Sequence, residues 1–520
     1  MRDGVTLSAT LYLPGALQCP APTVFLLTPY VAQISHDSGV YFASRGLPFL
    51  TVDVRGRGNS EGTFTANGNE ARDGYDIVEW LAQQPYCNGK VAMSGGSYSG
   101  YVQWSAAKER PPHLATIVPV ASPWRGFDSP APRNMWPTYR IQWLNLLGGR
   151  TSQERMFADQ PFWNQQYRRW LESGTAFRGI DGFLGHPSPI FQRWLQHPCQ
   201  DNYWDAHNPT AAEYSRIEVP VLTITGMYDG NQLGALEHYR RHQRIASTEH
   251  YLIIGPWDHA GTRIPKPEFG GLKVGASSVL DLNQLQLEWY AWTMQGGPKP
   301  SFLAKPVAYY VMGADRWRYA DTLSEVTAGS LELRIGQELE GNGSDGYVYD
   351  PRDVRLASLE STSDASSVVE QVPYGELFYQ SQPFARATEL AGFFKLAVWL
   401  SIDQPDTDFF VAVYEVGPDG AVIQLTTDRL RARYRESARI EKLVTSTEPL
   451  LYEFDQFTFV AREVPVGHRL RLVVGPVNSI HWQKNYNSGG VVADETVADA
   501  RTVTVKLTRG VLSVPLGRTE

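Results

Sequence analysis

Six residues, Gly95-Gly96-Ser97-Tyr98-Ser99-Gly100, constrain this chain more than any other stretch. The short apolar run Val91-Ala92-Met93 leads in, and helix-compatible residues 101–107 lead out. A Ser between such a strand and such a helix sits on a tight, strained turn that lifts its hydroxyl above a sheet edge. The helix packs against the strand, so close neighbours of the turn must be small. Gly95, Gly96 and Ser99 meet that need. The usual pattern has Gly two residues after the Ser, whereas here Ser99 stands there and Gly100 follows. On a plainer reading the segment is a Gly-rich turn opening a helix.

The chain around this motif alternates strand and helix patterns, which predicts a parallel α/β sheet. Residues 23–27 (TVFLL) and 48–54 (PFLTVDV) read as buried strands, and residues 117–120 as the strand after the motif. Residues 73–83 have helical spacing, with Ile77, Val78 and Leu81 on one side. From about Trp124 to Arg216, aromatics recur at helical spacing: Trp136, Tyr139, Trp143, Trp163, Tyr167, Trp170 and Trp194. Strands resume at 219–225 and 250–254, and 307–312 closes the sheet. Beyond about residue 322, short alternating runs at 330–334, 393–400, 409–414 and 469–474 are separated by Gly, Pro and Asp turns. That is the pattern of an antiparallel β-sandwich. A chain of 520 residues exceeds a single core. The expected organisation is an α/β catalytic domain over 1–124 and 216–322, a helical cap over 125–215, and a β-sandwich over 323–520.

A net charge of −8 gives nucleic acid no electrostatic reason to bind. No apolar run is long enough to span a bilayer. Cys19, Cys87 and Cys199 have no metal-ligand spacing and no disulfide framework. The opening Met1-Arg2-Asp3-Gly4 runs straight into a strand-like stretch, so a cytoplasmic location is expected. Neither a metal nor a cofactor is called for. The expected partner is a small ester or amide substrate, with a second copy of the chain left open. Aromatics at 12% of residues suit a deep apolar pocket.

A Ser hydroxyl needs a base to take its proton, and the base needs a carboxylate to orient it. In this class of sheet the chain order is Ser, acid, His. Eleven histidines compete, so position decides. His259 follows the strand at 250–254 through Gly255-Pro256-Trp257-Asp258, and Asp229 follows the strand at 219–225 through Gly226-Met227-Tyr228. Catalytic groups gather in the loops after such strands. Asp258 adjoins His259 and would point away from it. His186, His197 and His207 lie in the insertion, and His468 and His481 in the β-rich part. An acyl intermediate also needs two oxyanion donors. The backbone N–H of Tyr98 supplies one. Thr28-Pro29-Tyr30 lies where the second belongs, and its phenol is either that donor or a packing group.

A series of segments, taken in order, carries a further signal. It begins with residues 1–7 (MRDGVTL), Thr28-Pro29-Tyr30, 53–62 (DVRGRGNSEG), 95–100 (GGSYSG), 226–230 (GMYDG) and 255–259 (GPWDH). It continues through 310–317 (YVMGADRW), 407–410 (TDFF), 432–436 (ARYRE), 465–470 (PVGHRL) and 485–490 (NYNSGG). This series resembles the cocaine esterase and X-prolyl dipeptidyl-peptidase group of serine hydrolases, the CocE/NonD family. The resemblance implies an α/β-hydrolase domain with an inserted helical cap and a C-terminal jelly-roll. It implies Ser97 as nucleophile, Asp229 as acid, His259 as base, and Tyr30 with the Tyr98 amide as oxyanion hole. It further implies a substrate pocket lined by Trp136, Trp143, Asn231, Leu377 and Phe378. Relatives acting on α-amino esters hold the substrate ammonium with carboxylates just after the triad acid, where this chain has Gly230, Asn231 and Gln232. The expectation is therefore an acyl esterase. Alternatives are an X-prolyl dipeptidyl-peptidase or amide acylase, a biosynthetic acyltransferase or cyclising enzyme, and a carbohydrate-binding role for the jelly-roll.

Overall fold

In the computed structural model, the described residues are 1–15, 19–341, 343, 345–355, 357 and 377–518. Nine strands form one sheet: β1 (Ala9–Tyr12), β2 (Ala21–Thr28), β3 (Phe49–Asp53), β4 (Cys87–Met93), β5 (Leu114–Ile117), β6 (Val221–Tyr228), β7 (His250–Asp258), β8 (Val307–Val311) and β9 (Arg316–Ala320). Their spatial order is β1-β3-β2-β4-β5-β6-β7-β8-β9. The seven central strands run parallel, and β1 and β9 add antiparallel edges. β2, β3 and β8 are buried almost throughout because helices cover both faces of the sheet. The helix Glu70–Ala82 lays Ile77, Val78 and Leu81 on one face, and all three are buried.

Two strands are longer than the sequence pattern indicates. β6 continues to Tyr228 and β7 to Asp258, with Tyr228 paired to Asp258 beyond a register shift. The Gly and Pro that read as loop residues are accommodated inside the strands. At Gly226 a Cβ would meet the Trp257 carbonyl at 2.1 Å, so only Gly permits this approach. Asp229 and His259 thus follow immediately on two adjacent paired strands.

Between β5 and β6 the chain forms a run of helices from Tyr139–Leu146 to Ala211–Tyr214. The longest, Gln160–Ser173, is capped by the Asp159 side chain and ends at Gly174 in the left-handed conformation. Its Trp163, Tyr167 and Trp170, spaced four and three apart, are buried together. After β9 the chain is nearly all β. One sheet has Leu450–Phe454, Lys395–Ile402, Val503–Leu516, Thr388–Gly392 and Val460–Val464 as neighbours; the other has Leu339–Gly341, Leu377–Ser381, Arg469–Pro476, Asp408–Val416 and Val422–Arg431. Their facing side chains, among them Leu396, Val398, Val411, Leu472 and Val505, form one core. The fold is an α/β-hydrolase with an inserted cap and a C-terminal jelly-roll. Among the described residues no helix is long and apolar enough to cross a membrane.

A buried polar network ties three of the sandwich segments quoted above together. Arg431 bonds Asp408 at 2.8 and 2.9 Å, and Arg433 bonds Asp406 at 2.8 Å. Asn485 donates to both carboxylates at 2.9 Å. Arg431 also reaches the Asn134 carbonyl at the start of the cap at 3.1 Å. This network and Arg133, which bonds Asp428 of the sandwich, fix the cap to the sandwich.

Candidate active site

Ser97 adopts φ 61° and ψ −123° at the junction of β4 and the helix Tyr98–Lys108. This is the strained conformation expected of a nucleophile elbow. Its N–H donates to the Val120 carbonyl at 2.9 Å, fixing the turn. Gly95 has φ 125°, and a Cβ there would come within 2.7 Å of Ser99 Cβ. A Cβ on Gly100 would meet the Val120 carbonyl oxygen at 2.6 Å. The departure from the usual pattern therefore has a steric basis. The closest backbone approach falls on Gly100, and Ser99 is tolerated one residue earlier.

His259 Nδ1 lies 2.7 Å from Asp229 Oδ1. Asp229 is 2% exposed. Its Oδ1 also accepts from Asn231 N at 3.0 Å, and its Oδ2 from Thr225 Oγ1 at 3.0 Å. Burial alone would favour the neutral acid, but His259 and these donors outweigh it and hold the carboxyl below its ordinary range. Nδ1–H of the ring faces the carboxylate, which leaves Nε2 as the acceptor. In this arrangement Nε2 is met by Arg263 Nη2 at 3.2 Å, and Arg263 Nη1 donates to the His259 carbonyl at 3.0 Å.

Ser97 and His259 line one cleft with Tyr30, Tyr98, Trp143 and Asn231. The Tyr98 N–H is the first of the helix and has no partner within it. Trp143 Nε1 donates to the Tyr30 hydroxyl at 3.2 Å. The Tyr30 backbone is anchored from two sides. Ser152 Oγ donates to its carbonyl at 2.5 Å. The fully buried Arg57 donates to the preceding Pro29 carbonyl at 2.7 Å and to the Leu147 and Gly149 carbonyls of the cap. The segment 53–62 thus carries the residue that locks the Tyr30 loop to the cap.

Three of the expected pocket residues lie elsewhere. Trp136 is 1% exposed and sits one ring behind the wall, stacked at 6.4 Å on Trp194, which does face the cleft. Leu377, also 1% exposed, points into the sandwich core. Phe378 lies on the opposite side of its strand, packed against the cluster that includes Val473, its strand partner, and Trp482. The sandwich reaches the cleft through Trp482 instead, which pairs with Pro137 of the cap across an isolated bridge. Arg125, Asp128 and Arg140 also line the cleft. They follow Val120, which lies just beyond β5 and bridges to Gly96 and to Ile224 of β6, at the sheet edge where catalytic groups collect. Asp128 is buried, and this pushes its carboxyl up to about 7 against hydrogen bonds from Trp124 N, Asn231 Nδ2 and Gly234 N.

Comparisons with known proteins agree with this architecture. The family model for the X-Pro dipeptidyl-peptidase (S15 family) matches residues 3–261. That for the X-Pro dipeptidyl-peptidase C-terminal non-catalytic domain matches residues 303–490. Cocaine esterase from Rhodococcus sp. (strain MB1 Bresler) is 24% identical over 562 residues, covering 98% of this chain and 95% of that protein. The crystal structure of an aminopeptidase from the marine sediment archaeon Thaumarchaeota archaeon matches with a TM-score of 0.85 at 19% identity, covering 100% of this chain and 95% of its own. An α-amino acid ester hydrolase matches with a TM-score of 0.84 at 20% identity, covering 99% and 95%. The chain is a hydrolase and belongs to the CocE/NonD family of serine hydrolases, the group of cocaine esterase and the X-Pro dipeptidyl-peptidases.

Proposed function

We propose that this protein is a carboxylic ester hydrolase working through a Ser97–His259–Asp229 triad and an acyl-enzyme. His259 Nε2 removes the hydroxyl proton as Ser97 Oγ attacks the ester carbonyl carbon. The Tyr30 phenol and the Tyr98 N–H stabilise the oxyanion. His259 then gives the proton to the leaving alcohol, and water repeats the sequence to free the acid. Asp229 holds the ring tautomer and stabilises the imidazolium. The observation that carries this reading is the 2.7 Å His259–Asp229 hydrogen bond on the cleft that also holds the strained Ser97.

Ester cleavage is favoured over release of dipeptides because a free N-terminus would need unspent carboxylates in the cleft. Asp128 lines it, but its oxygens already accept from Trp124 N, Gly234 N and Asn231 Nδ2. A fluorophosphonate should label the protein, and Ser97→Ala should abolish labelling and turnover together. Para-nitrophenyl esters of graded acyl length, run beside Gly-Pro-p-nitroanilide, test the substrate class. Faster cleavage of the anilide would reverse the preference for esters.

A further inference from the structure

Arg125 is 4% exposed and lines the cleft that holds Ser97 and His259. Its Nη1 donates to Ser129 Oγ at 3.0 Å. Its Nε is buried with no partner. Its charge rests on the faces of Tyr101 and Tyr98, at 4.6 and 5.5 Å from the ring centroids. Among the described residues no carboxylate forms an ion pair with it. A guanidinium stays charged at any working pH, and burying it without a counter-ion is costly. Ring faces offset only part of that cost.

The acids nearby are committed elsewhere. Asp128 accepts from two backbone amides and Asn231. Glu70, behind the Tyr98 ring, accepts from the Tyr98 hydroxyl and from the amides of Asn67 and Asn69. Two further cations border the same space. Arg140 lines the cleft with its Nε on the Pro130 carbonyl at 2.7 Å, and Arg263 lies against His259. A cationic cleft on a chain of net charge −8 marks a local requirement rather than the overall balance.

We infer that the cleft selects esters that carry a carboxylate, with Arg125 as its binding partner. The substrates are half-esters of short dicarboxylic acids, or esters whose alcohol bears the acid group. Hydrolysis adds water across the acyl C–O bond, releases the alcohol and the acid, and returns Ser97 unchanged. Arg125 pairs with the spectator carboxylate and takes no proton. This inference rests on Ser97 being the nucleophile.

The test compares matched pairs by pH-stat titration: monoethyl glutarate with ethyl valerate, and para-butyryloxybenzoate with para-butyryloxybenzamide. Butyrylcholine serves as the cationic contrast. At least one charged ester should exceed its neutral partner in kcat/KM by about tenfold or more, since a buried guanidinium–carboxylate pair is a strong, oriented contact. Which pair does so tells whether the carboxylate lies on the acyl or the alcohol side. Arg125→Met should collapse that ratio towards one, and Arg125→Lys should keep part of it. If Arg125→Met does not fold, glutarate should still inhibit the unaltered protein competitively, more strongly than glutaramide. Equal rates within both pairs, preference for butyrylcholine, or a ratio unchanged in Arg125→Met would each overturn the inference. Failure of the nucleophile assignment looks different: Ser97→Ala would keep its turnover on the neutral esters.

Discussion

Trp143 Nε1 donates a hydrogen bond to the hydroxyl oxygen of Tyr30 at 3.2 Å. With its oxygen accepting from the indole, the phenol keeps its own hydrogen to offer elsewhere. The same indole stacks on the Tyr98 ring at 6.1 Å, so one cap residue braces both residues proposed as oxyanion donors. Tyr30→Phe should lower kcat by about 10²–10³-fold with little change in KM, the loss expected for one such donor. Trp143→Phe keeps an aromatic ring there but removes the indole N–H and part of the stacked surface, while leaving the Tyr30 phenol in place, so its loss should be smaller. Steady-state kinetics on one activated ester check both. Full turnover in Tyr30→Phe would take the phenol out of the mechanism.

Asp229→Asn should preserve the fold while letting the ring take the wrong tautomer. A drop in kcat of about 10⁴-fold is expected, as for other triads. Stopped-flow measurement of the acylation burst should show the burst slowed along with turnover. A drop of only a few fold would mean that another acid orients His259.

Asp408 and Arg431 form a buried pair inside the sandwich. Asp408→Ala would strand a buried guanidinium and should destabilise the protein by about 3–5 kcal/mol. Because Arg431 also holds the Asn134 carbonyl, the loss should loosen the cap. Urea unfolding gives the stability change, and hydrogen exchange over residues 130–140 gives the local one. Unchanged exchange there would show that cap docking does not depend on this pair.

Three buried histidines surround Trp104. Burial depresses all three: His238 to about 3, His242 to about 4, and His250 well below its ordinary value. His242 Nδ1 lies 3.0 Å from His250 Nδ1, so one ring donates and the other must stay neutral to accept. The unfolded chain takes up these protons near pH 6.5 and the folded one only below about 4. The stability contributed by these three rings is therefore complete above about pH 6.5 and falls as the pH drops through that window, outweighing the opposite contribution of the buried Asp128 carboxyl. Urea unfolding at about pH 7.5 and about pH 5 should differ by several kcal/mol. Equal values at the two pH settings would contradict the assignment.

The catalytic half of the fold was legible because its signals are local. A strand, a Gly-rich turn and a helix around Ser97 lie within residues 87–108, and chain order leaves few choices for the proposed acid and base, Asp229 and His259. The cleft walls were not legible, because they depend on which face of a strand or helix meets a partner distant in sequence. Leu377 and Phe378 alternate across one strand, and neither face of it reaches the cleft. Trp482 reaches it only because the loop after Pro476 folds back along Pro137. The position of Arg125 after β5 is legible in the chain, but that its guanidinium lacks an acid partner among the described residues is visible only in the packing.

Trp482 makes the cleft a composite of all three parts of the fold. A fragment trimmed after the α/β sheet would expose Met227, Leu236 and Met312, which lie against Phe459 and Ala461 in the intact chain. It would also lack one wall of its own reaction chamber. The jelly-roll is therefore not cargo that protein engineering can discard to obtain a smaller biocatalyst, and exchanging it between relatives should alter selectivity as well as solubility.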